Sequence, residues 1–232
     1  MNVKDLYLFH LSDDYSLLSD VPDAVRLQED SEEYNEVTAE FFSGLSAEQN
    51  NVQIVKVSRI AFRSSGWTSP CDRKADMEQK VRGDVERTLY HGTSESSVKE
   101  ICIHGFNRSF CATAFGQGVY FAVKSSYSFS DTYSPPNADG HKFIFVARVL
   151  TGDFIQGKHD MRAAPLRQDS GIPVRYHSVV DTVREPTLFV IFNDTQAYPQ
   201  YLITCLKGPC VCVCVCVCER VCFKPLYLVY SH

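Results

Sequence analysis

Long hydrophobic runs are missing from this 232-residue chain. No stretch approaches the roughly 20 apolar residues that a membrane-spanning helix needs, so no contact with a membrane is expected. Asp5, Asp13, Asp14 and Asp20 interrupt the first 20 residues, where a secretory signal requires an uncharged core. The expectation is an intracellular chain, cytoplasmic or nuclear. Cysteine is scarce once its distribution is considered: seven of the ten lie between Cys205 and Cys222, leaving Cys71, Cys102 and Cys111 for the body. Three scattered thiols suit a reducing compartment. Neither H-E-x-x-H nor paired C-x-x-C occurs, so no metal is expected. No P-loop is present, and Gly116 and Gly118 lead into a strand rather than open a helix, which argues against a Rossmann site. Basic clusters are missing too. Residues 51–232 hold 21 Lys and Arg against 16 Asp and Glu without a patch, so nucleic acid is not indicated as a partner. No nucleophile and base of the Ser-His-Asp kind stand out.

What is present is an ordinary globular composition, 44% apolar and 22% charged, in a chain long enough for one substantial core or two small ones. The acidity is concentrated: residues 1–50 carry 12 acidic and 2 basic side chains. Residues 1–30 read as an acidic, flexible leader. At the other end, residues 210–218 read CVCVCVCVC. A TG dinucleotide repeat translates to this alternation, because TGT encodes Cys and GTG encodes Val. Alternating thiols on a strand would all point one way, unlike a metal site. Residues 207–232 are therefore expected to be an artefactual tail without function.

Between these ends the periodicity is readable. Ser31 predicts an N-cap, with Glu32 and Glu33 in the first turn and Tyr34, Val37, Phe41 and Leu45 at helical spacing. Val52 to Phe62 alternates as a strand, residues 63–71 are turn-rich, and residues 72–82 are charged and helix-prone. A short strand from Arg87 to Tyr90 delivers His91. Ser94 or Ser96 caps a helix that stops at Gly105. Strands follow at 118–122, 142–150, 188–192 and 201–205, with a short helix from Ser125 to Thr132. Residues 153–186 have weak periodicity. Strands with few helices between them predict an α+β domain built on antiparallel sheet.

Singly, the chemically capable residues are unremarkable. His91 ends an apolar strand and precedes Gly92 and Thr93, which let a ligand approach the backbone. Tyr120 lies in a strand, Tyr127 and Tyr133 flank a polar helix, and Leu188 reads as core. Their order changes the reading. The segments LYHGT (89–93), GFNRSF (105–110), GQGVYFA (116–122), SYSFSDTYS (126–134), SPPNADGHKFIFVARVLTGD (134–153) and LFVIFNDTQAYPQYLITC (188–205) occur in sequence. Together they resemble the catalytic domain of the poly(ADP-ribose) polymerase superfamily, in its mono-ADP-ribosyltransferase branch of His-Tyr-Leu type, over residues 31–206.

The resemblance implies a diphtheria-toxin-like ADP-ribosyltransferase fold, with two facing antiparallel sheets and flanking helices around an NAD cleft. It implies NAD⁺ as co-substrate and proteins as acceptors, through carboxylate side chains. His91, Tyr120 and Leu188 match the catalytic triad, with Leu188 where the family's polymerases carry Glu. Gly92 and Ser128 match the groups that hold the nicotinamide carboxamide, Tyr133 matches the ring that stacks on nicotinamide, and Arg108 lies in the donor loop where a guanidinium meets pyrophosphate. Leucine cannot serve as the base that a ribose acceptor needs for chain growth. An acceptor carboxylate, ionised at neutral pH, needs no base. The expected activity is transfer of a single ADP-ribose. A second reading stays open. The donor loop 111–118 looks about three residues short for this branch, which suits a module that binds NAD⁺ or ADP-ribose with little or no turnover.

Overall fold

The computed structural model describes residues 24–60, 70–81, 83–107, 114–168 and 173–208. The segment 63–69, residues 111–113 of the donor loop, Arg108 and the Cys-Val tract lie outside the described residues.

The first helix forms where its cap predicts. Ser31 is extended, and its Oγ accepts the Tyr34 N–H at 3.2 Å, which satisfies one orphan donor of helix α1 (Glu32–Ser43). Val37 and Phe41, four residues apart, are its buried stripe. Helix α2 (Pro70–Lys80) follows strands β1 (Ala24–Arg26) and β2 (Val52–Ile60). Strand β3 (Glu86–Thr93) leads into α3 (Glu95–His104), whose N-cap is Ser94. The helix ends at Gly105, with φ of 74° in the region that favours glycine. Then come β4 (Val119–Ala122), the single turn α4 (Ser125–Ser128), β5 (His141–Leu150), β6 (Phe154–Gln156), β7 (Ser178–Val180), β8 (Leu188–Ile191) and β9 (Ala197–Lys207).

The α+β class holds. The sheet itself differs from the expectation of two antiparallel sheets. All nine strands are hydrogen-bonded in the order β1-β2-β9-β5-β3-β4-β8-β7-β6. One pair, β6 with β7, is parallel, because residues 157–177 carry the chain across before it returns. The physical reason for one sheet is a narrow join. Strand β3 pairs with β5 over eight residues but with β4 only at Tyr90–Ala122. Two well-paired limbs thus share a single rung, and β3 beyond Tyr90 is released from β4.

Alternation along β5 sends Phe143, Phe145, Ala147 and Val149 into one apolar layer with Phe106, Phe121 and Phe189. Ile144 and Val146 face a second layer, with Phe41, Val57, Tyr90 and Ile203. Edge-to-face rings link Phe106 to Phe121 at 4.9 Å and to Phe145 at 5.8 Å, so the α3 exit joins the two limbs. Below them, Glu86 receives both Lys74, at 2.9 Å, and Arg148, tying α2 and β5 to the start of β3. Burial pushes the Glu86 carboxyl up, but the two cations outweigh it and hold it below the usual range.

Three boundaries shift. The leader expected over 1–30 is already structured at Ala24, because Ala24–Arg26 pair with Ser58–Ile60 and Leu27 is buried. The tail boundary at 207 also moves: Lys207 pairs with Val52, and the Gly208 N–H reaches the Asn51 carbonyl at 2.9 Å. The helix expected from Ser125 to Thr132 stops at Ser128, and the chain turns from there to Ser134.

Candidate active site

The site gathers where β3 parts from β4. His91 sits one residue past the shared rung, opposite Phe145 on β5. Its Nδ1 lies 2.8 Å from the Tyr120 carbonyl. A carbonyl only accepts, so Nδ1 carries the proton and Nε2 presents its lone pair. The imidazole ring packs edge-on to Phe106 at 5.1 Å and against Phe121 at 5.5 Å. Burial among these rings lowers its pKa, against the opposing pull of the Tyr120 carbonyl. The neutral, Nδ1-protonated form is thereby favoured at physiological pH, a geometry suited to receiving a hydroxyl proton donor.

Tyr120 is held at its far end. Its hydroxyl accepts the Phe115 N–H and donates to the Gly116 carbonyl, both at 2.8 Å. Gly116 has φ of 138°, which a side chain would strain, and an added Cβ would meet the Phe192 ring at 2.8 Å. The tyrosine thus pins the loop entering β4 to the strand itself. Tyr120 opposes Val190 and Ala122 opposes Leu188 on β8, so Tyr120 and Leu188 share a face of the β4–β8 pair. Leu188 is 5% exposed, and no carboxylate stands at that position.

Gly92, Ser128 and Tyr133 meet by close packing. A Cβ on Gly92 would lie 2.2 Å from the Ser128 carbonyl oxygen and 3.1 Å from the Tyr133 carbonyl carbon. Only glycine lets the 125–134 segment seat this tightly on β3. That segment is anchored from behind: Ser125 Oγ donates to the Phe41 carbonyl at 2.5 Å, and the Gln49 amide donates to the Ser126 carbonyl at 3.1 Å. At its other end Ser134 is fully buried and exchanges hydrogen bonds with Phe143 at 2.9 and 3.1 Å. Lys142, 1% exposed, reaches Asp131 and lies 4.6 Å over the Phe129 ring. Ser128 is buried, whereas Tyr133 is 39% exposed.

Sequence reasoning passed over two neighbours. Tyr127 stacks on Tyr133 with centroids 4.6 Å apart and planes 21° from parallel, and the hydroxyls meet at 2.6 Å. Partial burial and the Tyr133 hydroxyl raise the Tyr127 pKa, with smaller contributions from Asp181 and Tyr120. Asp181, just past β7, accepts the Leu188 N–H at 3.0 Å. Its only signal in the sequence is an Asp-Thr pair closing an apolar run, a turn signature. Arg108 lies outside the described residues. Among those described, no group of three or more His, Cys, Asp or Glu is placed to hold a metal ion, and no helix is long and apolar enough to cross a membrane.

The family profile of the poly(ADP-ribose) polymerase catalytic domain matches residues 31–207. The chain belongs to that family. Within this poly(ADP-ribose) polymerase family, it is 50% identical over 182 residues to protein mono-ADP-ribosyltransferase PARP10 of Mus musculus, covering 77% of this chain and 19% of the relative. It is 40% identical over 187 residues to protein mono-ADP-ribosyltransferase PARP14 of Homo sapiens, covering 79% and 10% respectively. Protein mono-ADP-ribosyltransferase PARP11 of Mus musculus is 33% identical over 207 residues, covering 79% and 61%. The chain spans less than two thirds of the length of each of these family members.

Proposed function

We propose that this chain is an NAD⁺-dependent protein mono-ADP-ribosyltransferase. The observation that carries the reading is Leu188 in the third motif position, beside a His91–Tyr120 pair already linked at 2.8 Å, in a chain whose relatives are named for mono-transfer. In this reading the two limbs of the sheet face each other across the NAD⁺ cleft. His91 Nε2 accepts a hydroxyl of the adenosine ribose. Gly92 and Ser128 hold the nicotinamide carboxamide, Tyr133 stacks on its ring, and Tyr120 packs against the nicotinamide and its ribose. Arg108 meets the pyrophosphate.

The bond from the ribose C1′ to the nicotinamide nitrogen breaks, and its electron pair leaves with nicotinamide, which becomes neutral. C1′ passes through an oxocarbenium-like state. An ionised acceptor carboxylate supplies the electron pair of the new C1′–O bond, with no proton to remove. A ribose hydroxyl acceptor would need a base, and Leu188 offers none, so the chain does not elongate. The three scattered cysteines of the body support a cytoplasmic or nuclear setting for this chemistry.

The alternative, a module that binds NAD⁺ without turnover, draws on the short donor loop. Incubation of the full chain with labelled NAD⁺, beside Tyr120→Ala, separates the two. Label on protein, lost in the variant, supports the transferase. NAD⁺ binding by calorimetry without label on protein supports the module.

A further inference from the structure

We infer that Asp181 is the positioning residue of the acceptor side of this cleft, holding Leu188 and the 181–187 loop in place as a tether and not as a base. The inference rests on the transferase reading for its functional part, and on geometry for the rest.

Both carboxylate oxygens are committed. Oδ1 accepts the N–H groups of Thr187 and Leu188, each at 3.0 Å, and Oδ2 accepts the Thr187 hydroxyl at 2.5 Å. Three donors from residues 187 and 188 thus occupy both oxygens of the carboxylate. Burial pushes the Asp181 pKa up, but the Thr187 hydroxyl and the neighbouring backbone N–H groups outweigh it and hold it below the usual carboxylate range. Its main chain is fixed too: the Asp181 N–H reaches the Leu188 carbonyl at 3.4 Å, and its carbonyl receives the Gln156 amide.

The loop has little else to hold it. Residues 182–185 are exposed, including Val183. The tether is also relayed to β4, because the Thr187 carbonyl accepts the Val123 N–H at 2.9 Å, three residues after Tyr120. Asp181 therefore joins the third motif strand to the second. Its charge also adds, after burial and the Tyr133 hydroxyl, to the raised pKa of Tyr127. A reaction that transfers to a bulky protein acceptor depends on the shape of this wall more than NAD⁺ binding does. Both oxygens already accept from residues 187 and 188, so taking a proton from an acceptor would weaken the hydrogen bonds that hold the strand.

The test uses the full chain with labelled NAD⁺ and compares Asp181→Ala with Asp181→Asn. The asparagine oxygen still accepts the Leu188 and Thr187 N–H groups, and its amide can donate to the Thr187 hydroxyl. Asp181→Ala is expected to slow transfer onto protein at least tenfold, with KM for NAD⁺ within threefold and faster amide exchange confined to residues 182–190. Asp181→Asn is expected to keep at least a third of the wild-type rate. Equal losses in both variants, with exchange unchanged, overturn the tether in favour of a base or charge role. A full rate in Asp181→Ala overturns it outright. If Asp181→Ala does not fold, Asp181→Asn and Thr187→Val carry the test: the first keeps its third, the second loses two- to fivefold, and full rates in both overturn the proposal. If the wild type transfers nothing, the transferase reading fails. Amide exchange then decides the tether alone, faster at 182–190 in Asp181→Ala upholding it and unchanged exchange refuting it.

Discussion

His91 donates from Nδ1 to the main-chain carbonyl of Tyr120 at 2.8 Å, across the gap where β3 and β4 separate. The bond fixes the imidazole tautomer and bridges that gap with a main-chain acceptor, which side-chain substitution at Tyr120 does not remove. The hydroxyl of Tyr120 does a separate job, holding the loop before β4. The two functions of that residue can be separated by mutation.

Tyr120→Phe keeps the ring and the His91 contact and deletes only the hydroxyl. The Phe115 N–H and the Gly116 carbonyl lose their partner, which costs about 1–3 kcal/mol where such groups cannot reach water. The expected result is a lower unfolding midpoint in denaturant and a several-fold higher KM for NAD⁺, with kcat changed less. An unchanged KM would contradict the loop-pinning role.

Gly92→Ala places a methyl 2.2 Å from the Ser128 carbonyl oxygen, a main-chain atom that must move. Overpacking of this kind costs about 1–3 kcal/mol, and here it displaces the segment bearing Ser128 and Tyr133. Calorimetric titration with NAD⁺ should show affinity falling at least tenfold in a protein that still unfolds cooperatively. Wild-type affinity would show that the segment does not contact the ligand.

Lys142 separates charge from packing. Its stem is buried while its partner Asp131 is 70% exposed and can be rehydrated. Lys142→Met keeps the stem and should change stability by less than about 1 kcal/mol. Lys142→Ala leaves a cavity under Phe129 and should cost about 2–3 kcal/mol. Equal losses in both would mean that the ion pair, not the packing, holds the segment.

Stability should fall on mild acidification. Burial lowers the pKa of His91 and of His177, whose Nδ1 accepts the Asp153 N–H at 3.1 Å. The unfolded chain then binds more protons than the folded one below its histidine pKa of about 6.5. The contribution is whole above that value and is lost as pH falls toward the folded pKa. Glu86, Asp131 and Asp181, all lowered, add losses only at more acid pH. Thermal midpoints should decline from pH 7 to pH 5; a flat profile would contradict lowered pKa values at these two half-buried histidines.

Much of this was legible in the sequence, for physical reasons. The Ser31 cap, the β5 alternation and the stop at Gly105 are local signals, and each sits where it was read. Strands β6 and β7 were not legible: three-residue strands in a parallel pair carry no period, and β1 exists only because β2 offers an edge. Nor could spacing reveal that β3 and β4 pair only at Tyr90–Ala122. His91, Tyr120, Ser128 and Tyr133 were singled out by resemblance, not by chemistry, since each alone reads as packing. Asp181 escaped because its role lies in main-chain hydrogen bonds set by the turn of a weakly patterned segment.

The central claim concerns how many ADP-ribose units one acceptor position receives, and intact mass spectrometry of the full chain after incubation with NAD⁺ reads this directly. With site mapping by peptide fragmentation, the account predicts single units at separate positions and no growth at any one of them at long times and high NAD⁺. Successive units on one position, building a ladder of chains, would contradict the role given to Leu188.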